Sequence, residues 1–151
     1  MNQRNAMDVA TPAVQEFFDR YAQSRSVTDI DRLVSQYADS CMFAGPDGAR
    51  VADKQAITEG FPKALESLKA VGHTSTTLAS LDETRVDEHY AMVRARLVWR
   101  FEKGGAPPID VNVDSTFMVH IKDGVPTIVF QHEHEDFWQA LRTRGVLPAS
   151  G

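Results

Sequence analysis

The sequence predicts an α+β domain, a curved antiparallel sheet with N-terminal helices packed on its concave face. Three observations carry this prediction. Helical periodicity is confined to the first half of the chain, and the second half reads as long strands. The pair Asp123-Gly124, between two β-branched-rich runs, marks a two-residue hairpin whose central positions both need positive φ.

After a polar leader, residues 1–11, Thr11-Pro12 reads as an N-cap followed by proline at the first helical position. Val14, Phe17, Phe18 and Tyr21 then repeat at helical spacing. Thr28 with Asp31 reads as a capping box opening a short second helix, with Ile30, Leu33, Val34 and Tyr37 on one face. The chain then extends through Cys41 to Ala44 and turns at Gly45-Pro46-Asp47-Gly48. Asp53 is positioned to cap a third helix that buries Ile57, Phe61, Leu65 and Leu68, and Pro62 is expected to kink or split it after Gly60. Gly72 ends this helix. Strands follow at about 74 to 86, 90 to 102, 110 to 122 and 125 to 134, and residues 136 to 145 read as a short helical tail.

A chain of 151 residues, 42% hydrophobic and 25% charged, can bury one core, and nothing in it calls for a second domain. Its net charge of −5 and its lack of any Lys/Arg cluster argue against nucleic acid or an anionic membrane as a partner, because both need a concentrated positive field. A small apolar molecule and a second copy of the chain are the partners expected. No apolar run is long enough for a secretory signal or a membrane span, so a cytoplasmic location is expected. The single cysteine, Cys41, lies in the apolar run Cys41-Met42-Phe43-Ala44 and reads as a buried, unreactive thiol.

The hairpin fixes a register. With Lys122 opposite Val125, Val119 faces Ile128, Phe117 faces Phe130, Ser115 faces His132 and Val113 faces His134 on the buried side. His132 and His134 therefore extend an apolar face, and Asn112, Asp114, Thr116, Gln131 and Glu133 fall on the outer one. A β-bulge between Ser115 and Val119 would instead turn Asp114 inward. In the strand at 90 to 102, Val93, Ala95, Leu97, Trp99 and Phe101 alternate with Arg94, Arg96, Val98 and Arg100. Pairing it with the next strand brings Arg96 or Arg100 near Asp114 and Glu133, a surface charge ladder. By phase alone Trp99, Phe101, Phe117, Phe130, Phe17 and Tyr37 line the interior, a surface suited to a hydrophobic or planar ligand. Each of them also serves as core filler. Asp47 is placed to guard an entrance or simply to form its turn, and Trp138 to cap the mouth or a dimer seam.

The helix opening Val14-Gln15-Glu16-Phe17-Phe18-Asp19-Arg20-Tyr21, the run Asp31 to Asp39 leading into Phe43-Ala44-Gly45-Pro46-Asp47-Gly48, and the closing Asp-Gly hairpin resemble the nuclear transport factor 2-like superfamily, in particular its SnoaL-like and ketosteroid-isomerase-like branches. The resemblance spans residues 12–138 as one SnoaL-like domain, with 139–151 as a C-terminal tail. It implies a cone-shaped, cystatin-like fold with one pocket and a homodimer through the outer sheet face. Tyr21 falls where ketosteroid isomerases have an oxyanion-hole tyrosine, and Ser115 where they have a second donor. The general base of that branch would fall on Gly45, which has no side chain, so that chemistry is unmet.

The SnoaL-like branch places an acid/base residue on the last strands, the kind of position held by His132 and His134. Imidazoles titrate near neutrality and suit enolisation, dehydration or an aldol-type closure. Alternatively both rings are satisfied by backbone carbonyls, Ser115 or Tyr21. Two histidines about 6 to 7 Å apart on a strand could also belong to a metal site. That site lacks a third ligand at recognisable spacing, and neither a metal nor a cofactor is expected. Two functions follow: a cofactor-free isomerase, dehydratase or cyclase acting on an apolar carbonyl compound, with His132, His134 and Tyr21 catalytic and Trp99, Ser115, Phe117, Phe130, Phe17 and Tyr37 binding; or a non-catalytic ligand-binding or dimerisation module.

Overall fold

The computed structural model describes residues 10–27 and 29–148. The elements are α1 (Pro12–Val27), α2 (Ile30–Ser35), β1 (Tyr37–Gly45), β2 (Gly48–Asp53), α3 (Lys54–Ala70), β3 (His73–Arg85), β4 (Tyr90–Phe101), β5 (Ile109–Lys122), β6 (Val125–Glu133) and α4 (Phe137–Thr143). The strands form one curved, unclosed sheet in the order β2-β1-β6-β5-β4-β3. Every pairing is antiparallel except β1 with β6, which is parallel. The sequence reading missed β2, because Gly48–Asp53 carries only one inward residue, Ala52.

Helix α1 lies across the sheet because Val14, Phe17, Phe18 and Tyr21 form one apolar stripe, and all four are buried. Burial of side chains this size contributes about 1.5–3 kcal/mol each. Pro12 opens the helix, as read. Thr11 does not spend its hydroxyl on the helix end: its N–H and Oγ1 both donate to Oε1 of Glu83 on β3, at 2.8 and 3.0 Å. Asp29 caps α2 by accepting from Arg32 N, whereas the Thr28 cap read from the sequence lies outside the described residues.

Asp53 caps α3 as expected, accepting from Ala56 N at 2.8 Å. The helix then runs unbroken through Pro62. Ile57 on one side of the proline and Leu65 and Leu68 on the other are all buried, so packing of both halves on the same core offsets the one missing backbone bond. Gly72 follows with φ +103, and its carbonyl accepts from Glu102 N at 2.8 Å.

β4 alternates as predicted, with Val93, Ala95, Leu97, Trp99 and Phe101 buried. Opposite it, Val111, Val113, Ser115, Phe117 and Val119 of β5 are buried. The β5–β6 turn has positive φ at Asp123 (+52) and Gly124 (+79). Lys122 pairs with Val125 and Val119 with Ile128, both as read.

Beyond that point the register departs from the expectation. Val129 is an extra residue in β6, so Met118 pairs with Phe130, Phe117 with Gln131, Thr116 with His132 and Ser115 with Glu133. A side-chain period of two means that one added residue reverses the face of everything after it. Gln131 and Glu133 therefore turn inward, and Phe130, His132 and His134 turn outward. The bulge is on β6 rather than β5, and Asp114 keeps its outward direction. After the last strand, Ala140, Leu141 and Val146 are buried, so this segment closes part of the core.

Candidate functional site

The concave face encloses a cavity of about 160 Å³ lined by Tyr21 and Arg25 of α1, Ala64 and Leu68 of α3, Leu97 and Trp99 of β4, Ser115 of β5, Gln131 and Glu133 of β6, and Phe137 and Trp138 of α4. Glu133, Phe137 and Trp138 also line an open groove of about 480 Å³ that runs along the β1–β2 turn past Pro46, Asp47 and Arg50. The larger volume belongs to the groove. The convergent buried chemistry belongs to the cavity, so the two read as a mouth and a chamber.

Each polar group reaches the chamber by a local rule. On α1, Arg25 lies one turn beyond Tyr21, so it continues the buried stripe and carries a guanidinium where an apolar residue would complete it. The bulge at Val129 turns Gln131 and Glu133 inward beside Ser115. Ser115 Oγ donates to Glu133 Oε1 at 2.8 Å, and Gln131 Nε2 donates to Glu133 Oε2 at 2.7 Å. Both carboxylate oxygens are thereby held.

Proton directions in this cluster can be assigned. Tyr37 O–H donates to Gln131 Oε1 at 2.5 Å, which uses its only proton. The 3.2 Å contact between the Tyr21 and Tyr37 hydroxyls must then be a donation from Tyr21. Tyr21 in turn accepts from Arg25 Nη2 at 2.6 Å. The hydrogen bonds run one way, from Arg25 through Tyr21, Tyr37 and Gln131 to Glu133. Burial raises the Tyr21 pKa, with Arg25 opposing it, and raises that of Tyr37 well above the ordinary phenol value. Both phenols stay protonated; burial works against the charge on Arg25, but the interactions with Tyr21, Tyr37 and Glu133 outweigh it and Arg25 stays charged.

Of the residues picked from the sequence, Tyr21, Trp99 and Ser115 line the chamber. Tyr37 sits behind it in the hydrogen-bond chain. Phe117 is packed between Phe18 and Tyr21, with ring centroids 4.9 and 5.4 Å away, and Phe17 packs edge-on against Phe18; both fill core rather than wall. Phe130, His132 and His134 do not face the chamber, because the bulge reverses their side of the sheet. His134 Nε2 instead meets Thr116 Oγ1 at 2.7 Å, and its ring lies 5.0 Å from that of His132. Among the described residues no three His, Cys, Asp or Glu side chains gather as metal ligands. Asp114 pairs with Arg96 at 2.8 Å and Asp110 with Arg100 at 2.9 Å on the outer face, and Glu133 has left that ladder for the cavity. Asp47 lines the groove, and Cys41 is buried, which pushes its thiol up to about 11.

The sequence reading missed Arg25, Gln131 and Glu133. The first carries a signal, its position on the stripe of Val14, Phe18 and Tyr21. The other two carry none, since an extra residue in an all-apolar run, Ile128-Val129-Phe130, leaves no mark.

Helices on the concave face of a curved, unclosed sheet, with one polar chamber between them, define an NTF2-like domain. The chain belongs to the NTF2-like protein family DUF6841, whose model matches residues 10–136. Solved structures agree in fold at low identity. Aln2 from a Streptomyces species is 13% identical, covering 91% of this chain and 100% of its own, with a TM-score of 0.70. An NTF-2 like protein of unknown function from Shewanella oneidensis is 13% identical over 82% of this chain and 97% of its own, with a TM-score of 0.64. A protein named as a candidate scytalone dehydratase from Novosphingobium aromaticivorans is 15% identical over 80% of each chain, with a TM-score of 0.63. No curated protein sequence matches the chain.

Proposed function

We propose that this protein is a SnoaL-like, cofactor-free acid–base catalyst that acts on a small apolar carbonyl compound, with Glu133 as the proton-transfer group. The observation that carries the reading is the Glu133 carboxylate, fixed by Ser115 and Gln131 on the wall of a chamber whose other lining is mostly aromatic and aliphatic, with Arg25 as the one other charged group among the described residues that line it. In enolisation, Glu133 takes the proton from the carbon next to the carbonyl. The C–H electron pair becomes the new C=C bond, and the carbonyl π electrons move to oxygen. In a conjugated dienolate, return of that proton to the γ-carbon re-forms the carbonyl and gives isomerisation. With a β-hydroxyl, Glu133 gives the proton to the leaving oxygen, which departs as water while the enolate electrons re-form C=O and leave a Cα=Cβ bond, giving dehydration. The dehydratase named among the fold relatives supports this class of chemistry for the scaffold.

The test is proton exchange in D2O on a panel of single-ring ketones, followed by NMR. Exchange is expected with the wild type and is expected to fall about 10²- to 10⁴-fold in Glu133→Gln. Equal exchange in that variant, or none on any member of the panel, sinks the catalytic reading and leaves the ligand-binding module.

We also propose a homodimer through the outer sheet face. What favours it is a cross-strand row in register over all six strands, Val51, Met42, Phe130, Met118, Met92 and Thr84. Val51, Met42 and Met92 are among the most exposed large apolar side chains. Sedimentation should give a dimer that Met92→Lys weakens. A wild-type monomer at micromolar concentration would refute it.

A further inference from the structure

We infer that Arg25 Nε and Trp99 Nε1 form a seat for an oxyanion on the ligand, and that the part of the ligand entering the chamber is about the size of one six-membered ring. The inference shares the chamber with the acid–base reading and adds to it the chemical class of what binds. Three observations support it. First, the Tyr21 hydroxyl proton is committed to Tyr37, so the phenol that would serve as an oxyanion donor by family resemblance has no proton left for a ligand. Second, two other donors of the chamber lining are buried without a protein acceptor: Arg25 Nε and Trp99 Nε1. Trp99 is 6% exposed, and the Arg25 guanidinium carbon lies 5.5 Å from the Trp99 ring centre, so both donors belong to one end of the chamber.

Third, no ion pair among the described residues includes Arg25. Its partners are the two phenols, through Nη2, and the aromatic faces of Tyr21, Phe61 and Trp99. A half-buried cation without a contacting carboxylate, its Nε shut off from water, is costly to keep, and a ligand oxyanion would supply the missing partner. Glu133, in the same chamber, is the negative group such a ligand must share the space with. The chamber's 160 Å³ is close to the roughly 150 Å³ of a protein cavity that takes up benzene. The remainder of a larger ligand would lie in the groove past Phe137 and Trp138.

An oxyanion could be a carboxylate the substrate already carries or the enolate oxygen that develops on its carbonyl. Binding of benzoate, followed by calorimetry, and of 4-nitrophenol, followed by the visible absorption of its phenolate form, separates the two. The wild type is expected to bind at least one probe. Benzoate alone assigns a substrate carboxylate, and bound nitrophenolate, with or without benzoate, assigns the enolate oxygen.

Affinity is expected to fall about ten- to a hundredfold in Arg25→Met and in Trp99→Phe, which keeps an aromatic ring while removing one N–H. Glu133→Gln is expected to bind as tightly or more tightly, because it removes a negative charge. Should Arg25→Met fail to fold by circular dichroism, Trp99→Phe and Arg25→Lys carry the test. The seat is overturned if neither probe binds, if Trp99→Phe binds like the wild type, or if Glu133→Gln loses affinity as the Arg25 variant does. Probe binding without proton exchange would sink only the catalytic reading. Exchange that survives both Arg25→Met and Trp99→Phe unchanged would sink only the seat.

Discussion

At the scale of single residues, the chamber's chemistry follows from where a few protons are spent. Tyr37 gives its proton to Gln131, and that one commitment orients Tyr21 and fixes Glu133 as the terminal acceptor, while Arg25 Nε stands outside the chain without a protein acceptor. Sequence spacing placed Tyr21, Trp99 and Ser115 on the inner face, because helix and strand phase suffices for that. It could not show which hydroxyl is free, because that depends on contacts between residues up to 94 positions apart. Gly72 is a second case of a residue whose role is set by backbone. At φ +103, a Cβ would come within 2.7 Å of the Glu102 carbonyl oxygen, an atom that cannot move aside cheaply. Gly72→Ala should cost about 1–3 kcal/mol in urea unfolding. A variant within a few tenths of wild type would show that the α3–β3 turn has another conformation open to it.

At the scale of elements, two features set apart what was legible from what was not. Helix α3 was legible in its cap, its inward face and its end at Gly72, but the expected break at Pro62 does not occur. Residues buried on both sides of the proline keep the two halves in one continuous helix rather than split after Gly60, a tertiary effect that local propensity does not contain. The helix therefore carries a correctable defect. Pro62→Ala restores a backbone donor and should stabilise the protein by about 1–3 kcal/mol, raising Tm in calorimetry. A lowered Tm would mean that the proline ring packs usefully against its surroundings. Strand β6 is the opposite case. Its turn and first pairs were legible from Asp123-Gly124, but its far half was not, because the bulge at Val129 replaces no residue type with another and changes only a count.

At the scale of the whole molecule, element order and alternation were enough for the fold, since a helical first half and a meander of long strands pack in few ways. The same core makes stability depend on pH. His73 is buried at the start of β3, with Nε2 2.8 Å from Thr76 Oγ1 and its ring against Trp99 and Phe101. Burial lowers its pKa, with Arg25 and Lys69 adding smaller effects in the same direction. The unfolded chain then binds a proton more readily than the folded one. Stability should be complete above the ordinary histidine value near 6.5 and decline as pH falls from there toward the lowered folded value. His73→Gln should remove that part of the decline in urea titrations. The carboxylates held low by their partners, such as Asp114 beside Arg96, act only in a separate, more acidic window. An unchanged slope between pH 5 and 7 in the variant would assign the decline elsewhere.

The run of alternating histidine and glutamate at the end of β6 offers the cavity either of two chemistries, and the parity of the path from the Asp123-Gly124 turn selects between them. With one parity the chamber receives imidazoles, and with the other a carboxamide and a carboxylate. In this chain the odd residue at Val129 selects the second. When other members of the family are laid beside it, a shared letter is therefore a poor guide to a shared role on this strand. The useful coordinate is the number of residues between the hairpin turn and the polar run. A chain with the same His-Glu-His-Glu letters and one residue fewer, bulge retained, would present histidine to its ligand.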